Sequence, residues 1–96
     1  MNLSEIVLLQ GAQSDVLSIY AVQGERIYQR VDHALGILRL FPEAGPPQSG
    51  GRIRRLVVTK TNFGIFYTVS GKRVFVGAVM DLRQSEETIG RRLREL

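Results

Sequence analysis

A short apolar run at residues 51–58 contains three arginines in four consecutive positions, namely Arg52, Arg54 and Arg55. Strands favour β-branched and aromatic residues, so guanidinium groups at this density require either water or an anionic partner. The chemistry open to them is the binding of phosphate or carboxylate, because the planar guanidinium donates paired N–H groups to both. This run is the first candidate for a functional surface.

Strand alternation limits how these arginines can cooperate. Arg52 and Arg54 fall on the face opposite Arg55, so all three line one site only if the strand twists or bulges. The competing interpretation is a solvated strand edge whose charge prevents aggregation.

A second charged group follows the last predicted strand. Arg83 is the best candidate to share a binding site with one of the strand arginines. A salt bridge with Asp81, Glu86 or Glu87 explains the presence of Arg83 equally well. Asp81 is a candidate general base only if burial raises its pKa. His33, the single histidine, is interpreted as a surface residue of a helix.

Length and composition exclude several classes of protein. The 96 residues, 44% hydrophobic and 23% charged, predict a single domain spanning residues 1–96. The chain has no cysteine, which excludes disulfides and thiolate chemistry, and we expect neither a metal nor a cofactor. No apolar run reaches the roughly 18 residues of a membrane span and no signal peptide is evident, so we expect a cytoplasmic protein without membrane contact.

The charge is unevenly distributed. Residues 1–51 carry a formal charge of −2 and residues 52–96 a charge of +6, which together give the +4 of the chain. A basic C-terminal half indicates an anionic partner, either nucleic acid or an acidic protein.

The elements that must position these residues follow from periodicity and turn signals. A strand is predicted at residues 3–9, followed by amphipathic helices at 12–22 and 27–41 and a Pro/Gly-rich loop at 42–51. Strands are predicted near 52–58, 63–69 and 73–80, joined by turns short enough to make them antiparallel neighbours. Ser85 is the predicted N-cap of a terminal helix, in which Arg91, Arg92 and Arg94 favour the helix dipole.

The order β, α, α, β, β, β, α predicts an α+β, two-layer fold. The N-terminal strand and helix hairpin pack on an antiparallel β-meander, with a short C-terminal helix, and the first strand lies beside a later strand or along the edge. Alternation predicts that four side chains of the middle strand share one face, namely Phe63, Ile65, Tyr67 and Val69. In the last strand it predicts a shared face for Val74, Val76, Ala78 and Met80.

Four short segments, together with the element order, resemble the RelE/ParE toxins of bacterial toxin–antitoxin systems. The segments are the helix end at 38–45, the arginine strand at 54–56, the aromatic strand at 65–69 and the closing segment at 79–84. The resemblance covers nearly the whole chain. It implies one of two activities: RelE-like members are ribosome-dependent messenger RNA endonucleases, while ParE-like members inhibit DNA gyrase. Both kinds are neutralised by a co-expressed antitoxin.

Two departures from the RelE-like pattern favour the ParE-like branch. RelE-like ribonucleases generally carry a basic residue inside the aromatic strand, where this chain has Gly64. They often carry histidine or tyrosine near the C-terminal end, where this chain has Asp81, Leu82 and Arg83. Cleavage of RNA through the 2′-hydroxyl needs a proton acceptor and donor, and arginines supply neither.

The leading hypothesis is a toxin that inhibits DNA gyrase by binding, with target contacts from Arg52, Arg54, Arg55 and Arg83. The resemblance implies as partner a cognate antitoxin, ParD-like or a similar small DNA-binding protein, that wraps the helix hairpin and the sheet edge. Its predicted contacts are Val16, Ile19, Tyr20, Tyr28 and Arg55. One alternative is a ribosome-dependent messenger RNA endonuclease using Arg54, Arg55, Asp81 and Arg83. The other is a basic binding module of the same fold that is not toxic.

Overall fold

The structure is a computed structural model that describes residues 3–48 and 50–96. The elements run in the predicted order, and they are β1 (Glu5–Leu8), α1 (Gln10–Gln23), α2 (Glu25–Leu40), β2 (Arg54–Val57), β3 (Phe63–Ser70), β4 (Arg73–Asp81) and α3 (Glu86–Arg94). The predicted α+β class is confirmed, with the helix hairpin, the sheet and the C-terminal helix each present.

Local signals explain where the helices begin and end. Gly24 alone separates α1 from α2, and its φ of 88° is a conformation that glycine adopts without a steric penalty. Ser85 caps α3 as predicted, because its hydroxyl accepts a hydrogen bond of 3.1 Å from the amide of Thr88.

The four strands lie in the order β1, β4, β3, β2. The meander of β2, β3 and β4 is antiparallel as predicted, whereas β1 runs parallel to β4 at the sheet edge. The expected edge position of the first strand is therefore confirmed, and the complete sheet is mixed.

A β-bulge on β4 changes which side chains share a face. Phe66 pairs with Ala78 while its neighbour Tyr67 pairs with Val76, so Gly77 is the extra residue. Val74 and Val76 consequently face the helix hairpin, but Ala78 and Met80 face α3. The prediction that all four share one face is wrong, because the bulge reverses the alternation after Val76.

The sheet thus has an apolar layer on both sides. The predicted face of β3 packs under the helix hairpin together with residues of α1 and α2, including Ala12, Ile19, Val31, Ala34 and Leu38. The opposite face is a smaller cluster covered by α3, formed by Phe66, Ala78 and Met80 with Ile53, Leu82, Ile89 and Leu93.

Candidate functional site

Arg54 fastens the loop that precedes β2. Its guanidinium donates hydrogen bonds to the carbonyl oxygens of Gly45 at 2.8 Å and Glu43 at 3.3 Å, and it lies 3.8 Å from the Glu43 carboxylate. Its cross-strand neighbour Tyr67 holds the same loop, because the buried phenol oxygen accepts a 2.9 Å hydrogen bond from the Gly45 amide. Burial raises the pKa of Tyr67. Both side chains therefore have a structural role.

The loop in turn covers part of the outer edge of β2. The Arg55 amide donates to the Pro46 carbonyl at 3.1 Å, and the Gln48 amide donates to the Ile53 carbonyl at 2.7 Å. A Cβ atom on Gly45 would lie 2.6 Å from the Arg55 carbonyl oxygen, so only glycine permits this approach. The first half of the edge is thereby protected from pairing with another chain.

Arg55 points to the opposite face, as strand alternation predicted. It pairs across the sheet with Phe66, is half-buried, and its Nε–H is buried without an acceptor among the described residues. Arg52 is exposed and precedes the strand, which begins at Arg54 rather than at residue 52. Of the three arginines, Arg52 and Arg55 remain available to a partner.

Asp81 and Arg83 bind each other. The Arg83 side chain donates to both carboxylate oxygens, at 3.0 and 2.7 Å, and its amide donates at 2.9 Å. The Arg83 hydrogen bonds lower the pKa of Asp81, which is the reverse of what a general base requires. The salt-bridge interpretation of Arg83 is confirmed.

The sheet register keeps the two arginine groups apart. Arg55 pairs with Phe66, and Asp81 pairs with Phe63 on the other side of β3. Strand dimensions then place the Cα atoms of Arg55 and Asp81 about 14 Å from each other. In this structure Arg83 does not share a site with a strand arginine as predicted, because its side chain binds Asp81.

The side chain of Leu82 occupies the space beside Gly64. A Cβ atom at Gly64 would lie 2.9 Å from a methyl carbon of Leu82, so Leu82 occupies the space of the missing side chain. Leu82 belongs to the apolar cluster under α3. RelE-like ribonucleases are expected to carry a basic residue at this position. In this chain the position is apolar and is covered by Leu82.

The predicted antitoxin contacts fall into two groups. Val16 packs against the core, and Ile19 is only 5% exposed, so neither offers much surface to a partner. Tyr20 is 52% exposed and meets Tyr28 edge to face, with the ring centroids 5.2 Å apart. Within the predicted set, Tyr20 is the exposed residue of the hairpin, while Tyr28, like Val16, is partly buried.

A basic groove between α2 and β2 was missed by the sequence reasoning. It has a volume of about 300 Å³, its rim carries Arg26, Arg30 and His33, and its floor includes Ala34 and Leu56. His33 is exposed, as expected, but it is part of this rim. The spacing of the three rim residues at i, i+4 and i+7 was the available signal, since such residues form one stripe along a helix.

The arginines of α3 differ among themselves. Arg92 pairs with Asp15 at 2.8 Å, and Arg91 pairs with Glu87 at 3.4 Å on the helix surface.

Within residues 3–48 and 50–96, no helix is both long and apolar enough to cross a bilayer.

Comparison with known proteins identifies the fold. No protein-family model matches the sequence, and no curated protein matches it. Among solved structures, a chain of the chromosomal ParDE TA (toxin–antitoxin) system from P. aeruginosa superposes with a TM-score of 0.69 at 16% identity. The match covers 82% of this chain and 96% of that one. The chain therefore has the fold of a protein from a ParDE system, as the resemblance implied.

Proposed function

We propose that the chain is the toxin of a toxin–antitoxin system, that it inhibits DNA gyrase by binding, and that a cognate antitoxin neutralises it. The fold shared with a chain of a ParDE system supports the general role. The choice of gyrase rests on the sheet face under α3.

The observation that carries the proposal is the apolar character of that face. Leu82 fills the space above Gly64, and the surrounding side chains belong to the α3 cluster. Asp81 has a lowered pKa and is held by Arg83, and the phenol of Tyr67 is buried against Gly45. Among the described residues singled out for catalysis, none is placed to move a proton from a 2′-hydroxyl. An inhibitor that acts by binding needs no such group.

Arg52 and Arg55 are the proposed target contacts. Arg52 is exposed, and Arg55 is only half-buried, although its Nε–H is buried without an acceptor among the described residues. A carboxylate or phosphate of the target would pair with the charge of these two guanidinium groups.

The deciding experiment expresses the chain alone in a bacterium and follows plasmid supercoiling and transcript integrity in the same culture. Relaxed or broken DNA with intact transcripts supports gyrase as the target. Cleavage of transcripts at codons on translating ribosomes would replace the proposal with the endonuclease alternative. Unchanged growth would indicate a binding module without toxicity.

Purified components give the second arm of the test. The chain is added to gyrase and relaxed plasmid, and supercoiling is measured with and without the small protein encoded by the adjacent reading frame. Inhibition that this small protein reverses supports both the target and the antitoxin. An uninhibited gyrase at a large excess of the chain contradicts the proposal.

A further inference from the structure

The two edges of the sheet differ in how they are protected. The edge formed by β2 is partly covered by the preceding loop, and its strand begins with two arginines. The other edge is formed by β1, whose only strand neighbour is β4. The one charged residue of β1 is Glu5, and Arg73 neutralises it at 3.0 Å. Within the described residues, no strand or loop pairs with the outer side of β1 and no uncompensated charge lies on it.

The backbone of β1 directs alternate residues outward. The amides of Glu5 and Leu9 donate inward, to carbonyl oxygens of β4 and of the turn before it, at 2.8 and 2.9 Å. The N–H and C=O of one strand residue point to the same side, and successive residues alternate. The N–H and C=O groups of Ser4, Ile6 and Leu8 therefore point outward.

Two of these outward groups are satisfied within the chain. The Ser4 amide donates to the Arg39 carbonyl at 2.9 Å, and the Leu8 carbonyl accepts a 2.9 Å hydrogen bond from the Gln13 side chain. Among the described residues, no hydrogen bond engages the Ser4 carbonyl, the Leu8 amide or either group of Ile6 on the outer side. The edge thus offers two donors and two acceptors in a fixed pattern.

A second copy of β1 fits this pattern when a twofold axis passes beside Ile6. Opposite residues of an antiparallel pair exchange both of their N–H···O bonds when they face each other through these groups. The axis places Ile6 opposite Ile6 of the second copy, so the two residues exchange two bonds. It also places Ser4 opposite Leu8 of the second copy, where the free Leu8 amide donates to the free Ser4 carbonyl. The reverse bond is not needed, because both of its groups are already satisfied.

The same axis brings exposed leucines together at both ends of the pair. Leu3 and Leu9 flank β1 and are 48% and 41% exposed. With Ile6 opposite its own copy, Leu3 lies opposite Leu9 of the second copy. A groove of about 460 Å³, lined in part by Leu3, Ile6 and Arg39, leaves room beside the edge for the approaching strand.

These features favour a second copy over an unrelated segment. An ordinary extended segment brings a further donor to the Leu8 carbonyl and a further acceptor to the Ser4 amide, although both are already occupied. A strand in which the same two groups are occupied avoids this mismatch. The neutral Glu5–Arg73 pair also lets two copies approach without net repulsion from β1.

We infer that the protein forms a twofold dimer through β1, which joins two four-stranded sheets into one. The interface consists of four main-chain hydrogen bonds with a leucine contact at each end. It does not depend on the proposed target, because β1 lies at the sheet edge opposite to β2.

Cysteine cross-linking tests the register, because the chain has no cysteine of its own. Ile6→Cys places two thiols across the axis with Cα atoms about 5.5 Å apart, which a disulfide spans. Val7→Cys places them diagonally at more than about 7 Å, and Leu17→Cys lies on the exposed surface of α1. Under mild oxidation we expect Ile6→Cys to form at least about tenfold more cross-linked dimer than either control. Equal cross-linking of all three variants, or preferential cross-linking of Val7→Cys, would overturn the inference.

Sedimentation equilibrium of the unmodified chain tests the dimer itself. We expect a weak dimer at concentrations on the order of 100 µM, because the interface is small. Leu3→Glu with Leu9→Glu puts like charges opposite each other and should weaken the dimer about tenfold or more. Leu3→Lys with Leu9→Glu puts opposite charges there and should restore it, whereas Leu17→Glu with Val22→Glu on the exposed surface of α1 should change it little.

The outcomes against the inference are equally definite. A chain that stays monomeric at about 1 mM contradicts it, as does equal dimerisation of the two Leu3 and Leu9 double variants. Circular dichroism confirms that each variant is folded. A monomer that still inhibits gyrase would leave the proposed function in place, while a dimer without effect on gyrase would leave the β1 interface in place.

Discussion

Asp15 and Arg92, 77 positions apart in the chain, are joined by two hydrogen bonds of 3.2 and 2.8 Å that tie α1 to α3. The same carboxylate accepts a 2.9 Å hydrogen bond from the Val79 amide of β4, beyond the point where β1 stops pairing. One side chain therefore holds three elements together, and it fixes the helix that covers the apolar face of the sheet.

Replacing Asp15 by alanine should destabilise the protein. The change leaves the Val79 amide and the Arg92 guanidinium without their acceptor, at a cost of about 1–3 kcal/mol in the free energy of unfolding. Arg91→Gln is the matched control, because it breaks the exposed pair with Glu87 and should change stability little. Urea unfolding measures the free energy of unfolding of both variants. Equal losses of stability would mean that the Asp15 contacts contribute no more than an exposed ion pair.

Tyr67→Phe should loosen the loop before β2. The variant keeps the packing but removes the oxygen that accepts from the Gly45 amide, so about 1–3 kcal/mol of stability is lost. Amide exchange at Gly45 reports the effect directly, and an unchanged exchange rate would contradict this role of the hydroxyl.

The same tyrosine predicts a dependence on alkaline pH. The pKa of Tyr67 is raised from 10.0 in the folded protein, chiefly by burial. Its contribution to stability is therefore present below pH 10 and is lost as the pH rises through the raised pKa. In Tyr67→Phe this part of the decline above pH 10 should disappear, and an identical decline in both proteins would assign it to other groups.

The Asp81–Arg83 pair should contribute stability only above acidic pH. The Arg83 hydrogen bonds lower the pKa of Asp81 below its ordinary 3.8, so the contribution is present above about pH 4 and is lost as the pH falls through the lowered value. Carboxyl NMR titration should give a midpoint below 3.8, and Arg83→Gln should raise it. A midpoint that does not respond to Arg83→Gln contradicts the pairing in solution.

Gly64 and Leu82 should show energetic coupling. Gly64→Ala forces Leu82 to move, with an expected cost of about 1–3 kcal/mol, since the added Cβ would lie 2.9 Å from a leucine methyl carbon. In the background of Leu82→Ala the same change should cost much less, because the space is then empty. A double-mutant cycle by chemical denaturation measures the coupling, and strict additivity would show that the two residues do not meet.

Arg54 and Arg55 should respond in opposite ways to replacement by methionine. Arg54→Met removes the hydrogen bonds to the loop and should lower stability by about 1–3 kcal/mol. Arg55→Met removes a buried Nε–H that lacks an acceptor among the described residues, so stability should stay equal or rise while inhibition of gyrase falls. Full inhibition by Arg55→Met would remove this residue from the target surface.

Much of the fold was predictable because its signals are local. The spacing of apolar residues in α2, the short turns of the meander and the Ser85 cap each depend on neighbours within a few positions, and each prediction is confirmed. Alternation also placed Arg54 and Arg55 on opposite faces correctly. The candidate catalytic residues were already few, since an arginine side chain does not act as a proton acceptor at neutral pH.

Contacts between distant segments were decided only by the tertiary structure. The Gly77 bulge turned Ala78 and Met80 to the α3 face, and no local pattern of apolar residues reports an extra residue in one strand. The function of Arg54 as a loop anchor depends on Gly45, and that of Arg92 on Asp15. By itself, the sequence determined the element order, the α+β class and the number of charged groups. Packing chose which charges meet, because a guanidinium binds whichever carboxylate or carbonyl the fold brings within about 3 Å.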